Sequence, residues 1–161
     1  QNKRCPVCAF LEMISFGQYL YFYKYCVELL QNTEITERLY LMYTVKSLRN
    51  ACAHNNCIIN DINSTHNKRI NADLQRECTK FIKSPSSRRR HLGHISTYQI
   101  LTTMYAHQRI CISTGVHNHI CGELDELKKR FFRDNDYRLN DNIKATFDVL
   151  IRAIDTWFHI R

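Results

Sequence analysis

The stretch "NTEITERLYLMYTVKSLRNACAHNN", residues 32–56, decides how the fold is read. Thr33, with Thr36 behind it, suits a helix cap, and Glu34 and Glu37 favour a first turn. Leu41, Val45, Leu48 and Cys52 then recur on a helical face. Asparagine tolerates the left-handed backbone that ends helices, so Asn55 and Asn56 predict a stop within a turn of His54. On this helix Asn50 and His54 stand four residues apart on one face. Arg49 occupies the neighbouring stripe, within reach of both.

The flanking sequence carries the same helical signature. Upstream, "PVCAFLEMISFGQYLYFYKYCVELL" starts at Pro6 and reads as one helix, or as two pieces separated near Ser15 to Gly17. Downstream, the chain from Cys57 to Lys68 is polar and turn-rich. "NADLQRECTKFI" then predicts a short helix with Leu74, Cys78 and Phe81 on one side. "KSPSSRRRHLG" reads as a loop, because Pro85 and its serines break the pattern. Three more helices are expected in "HISTYQILTTMYAHQRICIS", "GELDELKKRFF" and "NDNIKATFDVLIRAIDTWFHI", the last with a broad apolar face from Ile143 to Phe158. The expectation is an all-α bundle of about five or six helices.

Composition agrees. With only 4 Gly and 2 Pro in 161 residues, turn-forming residues are scarce and long helices are favoured over many short strands. That length suits one domain, residues 1–161. Gln1 stands first and an aromatic-rich segment follows almost at once, so the chain reads as the carboxy-terminal part of something longer. No apolar run approaches the length of a membrane span and no signal peptide is visible, which predicts a cytoplasmic protein with no membrane partner. A net charge of +8 favours polyanionic partners, nucleic acid among them. The 8 cysteines are scattered, with Cys26, Cys52, Cys78 and Cys111 among apolar residues, so reduced thiols are expected.

Arg49, Asn50 and His54 form a chemically sufficient set for cutting RNA without a metal. The arginine fork holds a phosphate, the imidazole exchanges protons near neutral pH, and the asparagine orients the imidazole or a ribose hydroxyl. A structural alternative stands beside this: cations near a helix C-terminus complement its dipole and bond its free carbonyls.

The string "LRNACAH", residues 48–54, fits the arginine, polar residue, three residues, histidine motif of the HEPN ribonuclease superfamily. More narrowly, "SLRNACAHNNCIIN" together with the upstream "LEMISFGQYLYFYK" resembles the Abi-like (abortive infection) proteins of bacteria. The residues that match are Glu12, Ser15, Phe16, Gly17, Arg49, Asn50, Cys52, Ala53, His54 and Asn60. The resemblance covers about the first 60 residues. It implies a HEPN-like helical bundle that forms a homodimer with facing motifs. It also implies a metal-independent endoribonuclease leaving 2′,3′-cyclic phosphate ends, acting in phage abortive infection or as a toxin with a paired antitoxin. Arg49, Asn50 and His54 would be its catalytic residues, with no cofactor. Where many Abi-like members carry a second histidine and then an arginine, this chain has Asn55 and Cys57. The alternative reading is a non-catalytic RNA-binding or protein-interaction module of the same fold.

Other motifs have two readings each. Arg88, Arg89 and Arg90 with His91 suit a phosphate backbone or a solvated charge run, and with Asn60 they are the candidate RNA-binding residues. "CPVC", Cys5 to Cys8, has the spacing of half a zinc site but lacks a second pair, so packing is favoured and no metal is expected. Lys128, Lys129, Arg130 and Arg133 have Glu123, Asp125 and Glu126 nearby for local pairing. The tyrosines at 19, 21, 23 and 25 sit in a helical context suited to core or interface packing.

Overall fold

The computed structural model describes residues 6–59, 62–66, 69–133 and 140–161, without the side chains of residues 132 and 133. Among these the chain is helical, with a single isolated antiparallel bridge between Thr65 and His94. Eight α-helices are seen rather than five or six: α1 (Val7–Met13), α2 (Phe16–Leu30), α3 (Thr33–Ala53), α4 (Ala72–Glu77), α5 (Pro85–Gly93), α6 (Ile95–Ile110), α7 (Thr114–Arg133) and α8 (Asp141–Trp157). A 3₁₀ turn, Cys78–Lys80, extends α4.

Two local causes raise the count. First, Ser15 is extended and its hydroxyl oxygen accepts a hydrogen bond from the Gln18 backbone N–H, while the Gln18 side-chain Oε1 accepts one from the Ser15 backbone N–H. This reciprocal cap starts α2 afresh and splits the first segment into two helices. Second, "KSPSSRRRHLG" is not a loop. Ser84 caps the Ser87 amide and Pro85 takes the first helical position, where its missing N–H and fixed φ are no handicap. Asn32, not Thr33, caps α3, accepting from the Ile35 amide at 3.2 Å. Helix α7 also begins at Thr114, upstream of the expected start at Gly122, and takes in Gly115.

α3 is the central element, packed on α2 along one side and on α6 along another. Leu39 and Leu41, two residues and hence about 200° apart, serve different cores. Leu39 joins Leu20 and Val27 in a small cluster with Phe16, Tyr19 and Tyr23. Leu41 joins the main core, where Leu74, Cys78, Leu101 and Ala153 are fully buried with Phe81, Leu150, Ile154 and Trp157. The single face expected for α3 is therefore incomplete. Val45 is half-buried and Cys52, expected among apolar neighbours, is exposed, because the last turn projects past both cores. The short helix at 72–77 buries Leu74, and its 3₁₀ extension buries Cys78 with Phe81, as the spacing predicts.

Asn71 fixes α4 against α3: its Oδ1 accepts from the Leu74 amide at 2.8 Å and its Nδ2 donates to Glu37 Oε2 at 2.6 Å. The carboxy-terminal end is held by side chains of α6 and α7. Gln108 Nε2 donates to the Trp157 carbonyl, the His117 ring bonds the His159 carbonyl at 2.9 Å, and Asn118 pairs with the Arg161 backbone. On α7, Lys128 pairs with Asp125 and Asp155, and Lys129 with Glu126. No helix among the described residues is long and apolar enough to cross a membrane.

Candidate functional site

Arg49 and Asn50 stand in the last turns of α3 and His54 is its C-cap. Arg49 Nη1 donates to Asn50 Oδ1 at 3.3 Å, and Arg49 and His54 are exposed. No hydrogen bond or ion pair ties the His54 imidazole to another described residue. The helix ends immediately after. His54 is the C-cap, Asn55 takes φ 52°, and two closing bonds form, Asn55 N to Cys52 O at 3.0 Å and Asn56 N to Ala51 O at 2.9 Å. This paired pattern is a Schellman motif. The carbonyls of Ala51 and Cys52 are thus satisfied by backbone, so capping does not require the side chains of Arg49 or His54.

The upstream "SFG" segment has a structural job in holding α2 against α3. Ser15 caps α2, Phe16 packs in the small core, and Gly17 leaves room for Lys46 of α3. A β-carbon at Gly17 would lie 3.2 Å from Lys46 Nζ. Glu12 is exposed on α1. The two motifs are therefore linked through the α2–α3 pair, one building the support and the other standing at its end.

A groove of about 910 Å³ runs beside the site, between α3 and the segment Arg69–Ala72, with Tyr98 of α6 contributing to its wall. Asn50 lines it; Arg49 and His54 stand outside. Tyr40, Lys46 and Arg69 line it too, and the sequence reading assigned none of them a role. The available signal was the polar spacing of Tyr40, Thr44 and Ser47 on a helix with apolar residues on two other sides.

The remaining candidates lie elsewhere. Arg88 turns inward, its Nη1 donating to the Ile82 carbonyl at 2.7 Å and the Lys83 carbonyl at 3.4 Å, while Arg89 and Arg90 are exposed. All three belong to α5, which packs on α6. Asn60 and Cys5 lie outside the described residues. The seven described cysteines are free thiols, and Cys8 is exposed. His117 stacks with His107 and Phe158. No group of three or more His, Cys, Asp or Glu side chains among the described residues is arranged to hold a metal ion.

Residues 1–60 match the family model described as Abi-like protein. The Abi-like match covers α1, α2, α3 and the turn after them, ending before α4, so it includes both the "SFG" support and the Arg-Asn-His end. No curated protein matches the chain, and no solved structure does. Asn55 is of a residue type enriched at positive φ.

Proposed function

We propose that the protein is a metal-independent endoribonuclease of the HEPN type that acts in phage abortive infection or as the toxin of a toxin–antitoxin pair. The observation that carries this reading is the exposure of Arg49 and His54 at a helix end whose Ala51 and Cys52 carbonyls are closed by backbone. The structural explanation of the motif, cations capping a helix, accounts for less once the Schellman bonds are present. The Abi-like match over the same helices and the charge of +8 support it further.

In this mechanism His54 takes the proton of a ribose 2′-hydroxyl. The 2′-oxygen attacks the adjacent phosphorus, forming the 2′-O–P bond as the P–O5′ bond breaks, and the departing 5′-oxygen takes up a proton. The products are a 2′,3′-cyclic phosphate and a 5′-hydroxyl. Arg49 neutralises the charge that grows on the phosphate oxygens, and Asn50 holds Arg49 in place. A homodimer supplies the second proton-transfer group from the facing motif. The exposed apolar residues of α1 and α2, including Met13, Leu29 and Leu30, give this chain surface to bury against a copy or an antitoxin.

Asn55 and Cys57, in the places of the second histidine and the arginine, favour the second reading, a module of the same fold that binds RNA without cutting it. Incubating RNA with purified protein in EDTA separates the two. The first predicts fragments with cyclic phosphate ends. The second predicts a retarded, intact RNA whose binding falls steeply with salt.

A further inference from the structure

We infer that the groove along α3 is the seat of the single-stranded RNA segment next to the cut bond, with Tyr40 as a stacking platform and Arg69 as a phosphate contact. The inference rests on the ribonuclease reading and extends it from the reacting atoms to the flanking nucleotides.

The groove and the candidate site are continuous through Asn50, which contacts Arg49 at 3.3 Å and also lines the groove. From Asn50 back to Tyr40 the helix rises about 15 Å, more than one stacked nucleotide requires. At about 910 Å³ the groove lies near the upper end of pockets that hold one small molecule, so it has room for a short strand. Its chemistry suits RNA. Tyr40 is 66% exposed and offers a free ring on which a base can stack without regard to sequence. Arg69, exposed on the opposite wall, supplies positive charge for phosphates, while the Lys46 ammonium is turned toward α2, near Gly17 and 6.0 Å from the centre of the Tyr21 ring. Thr44 and Ser47 donate their hydroxyl protons to the Tyr40 and Tyr43 carbonyls, so each turns acceptor lone pairs toward other donors, such as a ribose 2′-hydroxyl or a base amino group. The far end holds Glu37, fixed by Asn71 at 2.6 Å. A carboxylate there disfavours phosphate, so the strand leaves the groove before Glu37.

The test uses the full chain and a fluorescein-labelled, mixed-sequence 2′-O-methyl oligoribonucleotide, which keeps the bases and phosphates that Tyr40 and Arg69 would contact but has no 2′-hydroxyl to attack. Anisotropy titrations are run against single-stranded and duplex forms. The expected result is tighter binding of the single strand. Tyr40→Ala weakens it about tenfold or more while Tyr40→Phe retains it. Arg69→Ala weakens it and lowers the salt slope by about one unit. Tyr25→Ala, at an exposed tyrosine of α2 outside the groove, leaves affinity unchanged. Unchanged affinity in both Tyr40→Ala and Arg69→Ala, or equal loss in Tyr25→Ala, overturns the inference. Because the probe cannot be cut, groove binding without cleavage of natural RNA defeats the ribonuclease reading alone. Cleavage of natural RNA with binding indifferent to Tyr40 and Arg69 defeats the groove alone.

Discussion

Arg49 Nη1 and Asn50 Oδ1 lie 3.3 Å apart at the exposed end of α3, so the Arg49 guanidinium is held by the side chain that also lines the groove. If Asn50 acts by holding Arg49, its loss affects the reaction through substrate positioning. Asn50→Ala is expected to lower kcat/KM for RNA less than Arg49→Ala does, the latter by about 10²–10³-fold. Arg49→Lys keeps the charge but loses the planar fork, and is expected to fall between them. Steady-state kinetics on a defined oligoribonucleotide check this order.

The supports of the site are separable from its chemistry. Ser15→Ala removes the hydroxyl of the α2 cap and is expected to cost about 1 kcal/mol of stability. Asn55→Gly retains the left-handed turn and is expected to leave stability nearly unchanged, whereas a β-branched residue there meets a steric penalty at φ 52°. Denaturant midpoints of Ser15→Ala, Asn55→Gly and Asn55→Val give the ranking.

Two histidines are expected to make the fold sensitive to acid. Burial pushes His91 below the usual imidazole value, helped by Arg90, His94 and Arg152. Burial also lowers His107, helped by His117 and Arg161. Each group binds protons more readily in the unfolded chain than in the folded one. Stability is therefore fully present above the ordinary imidazole pKa of about 6.5 and is lost as pH falls below it. The melting temperature is expected to drop from pH 7.5 to pH 5, and His91→Gln, if folded, to show a shallower drop.

The cysteines divide by burial. Cys78 is fully buried and its thiol is pushed up to about 12, while Cys121 is 2% exposed and also raised, both chiefly by burial. Cys8, Cys52 and Cys57 are exposed. Maleimide labelling of native protein, read by peptide mass, is expected to modify these three rapidly and to reach Cys78 and Cys121 only after unfolding.

Helices were legible wherever one apolar face carried the signal, as in α8 and in the Leu74, Cys78, Phe81 face of α4 and its extension. α3 was legible as a helix, but its environment was not. A helix buried on two sides, through Leu39 and Leu41, has no single stripe to read. α5 was hidden by Pro85 and its serines, residues that break a helix from inside and start one from its first turn. The Arg-Asn-His spacing could be read from the sequence because Asn50 and His54 are about one helical turn apart and Arg49 directly precedes Asn50. The groove could not, because Arg69 and Tyr98 reach it only through the packing of α6 and the hold of Asn71 on Glu37.

The most direct measurement of the central claim is the end chemistry and rate of RNA cleavage in EDTA by the native chain and by His54→Ala, with helical content of both checked by circular dichroism. The native protein is predicted to leave 2′,3′-cyclic phosphate and 5′-hydroxyl ends, and His54→Ala to lose about 10²–10⁴-fold in rate with its helices intact. Undiminished cleavage by His54→Ala, or cleavage that EDTA abolishes, contradicts it.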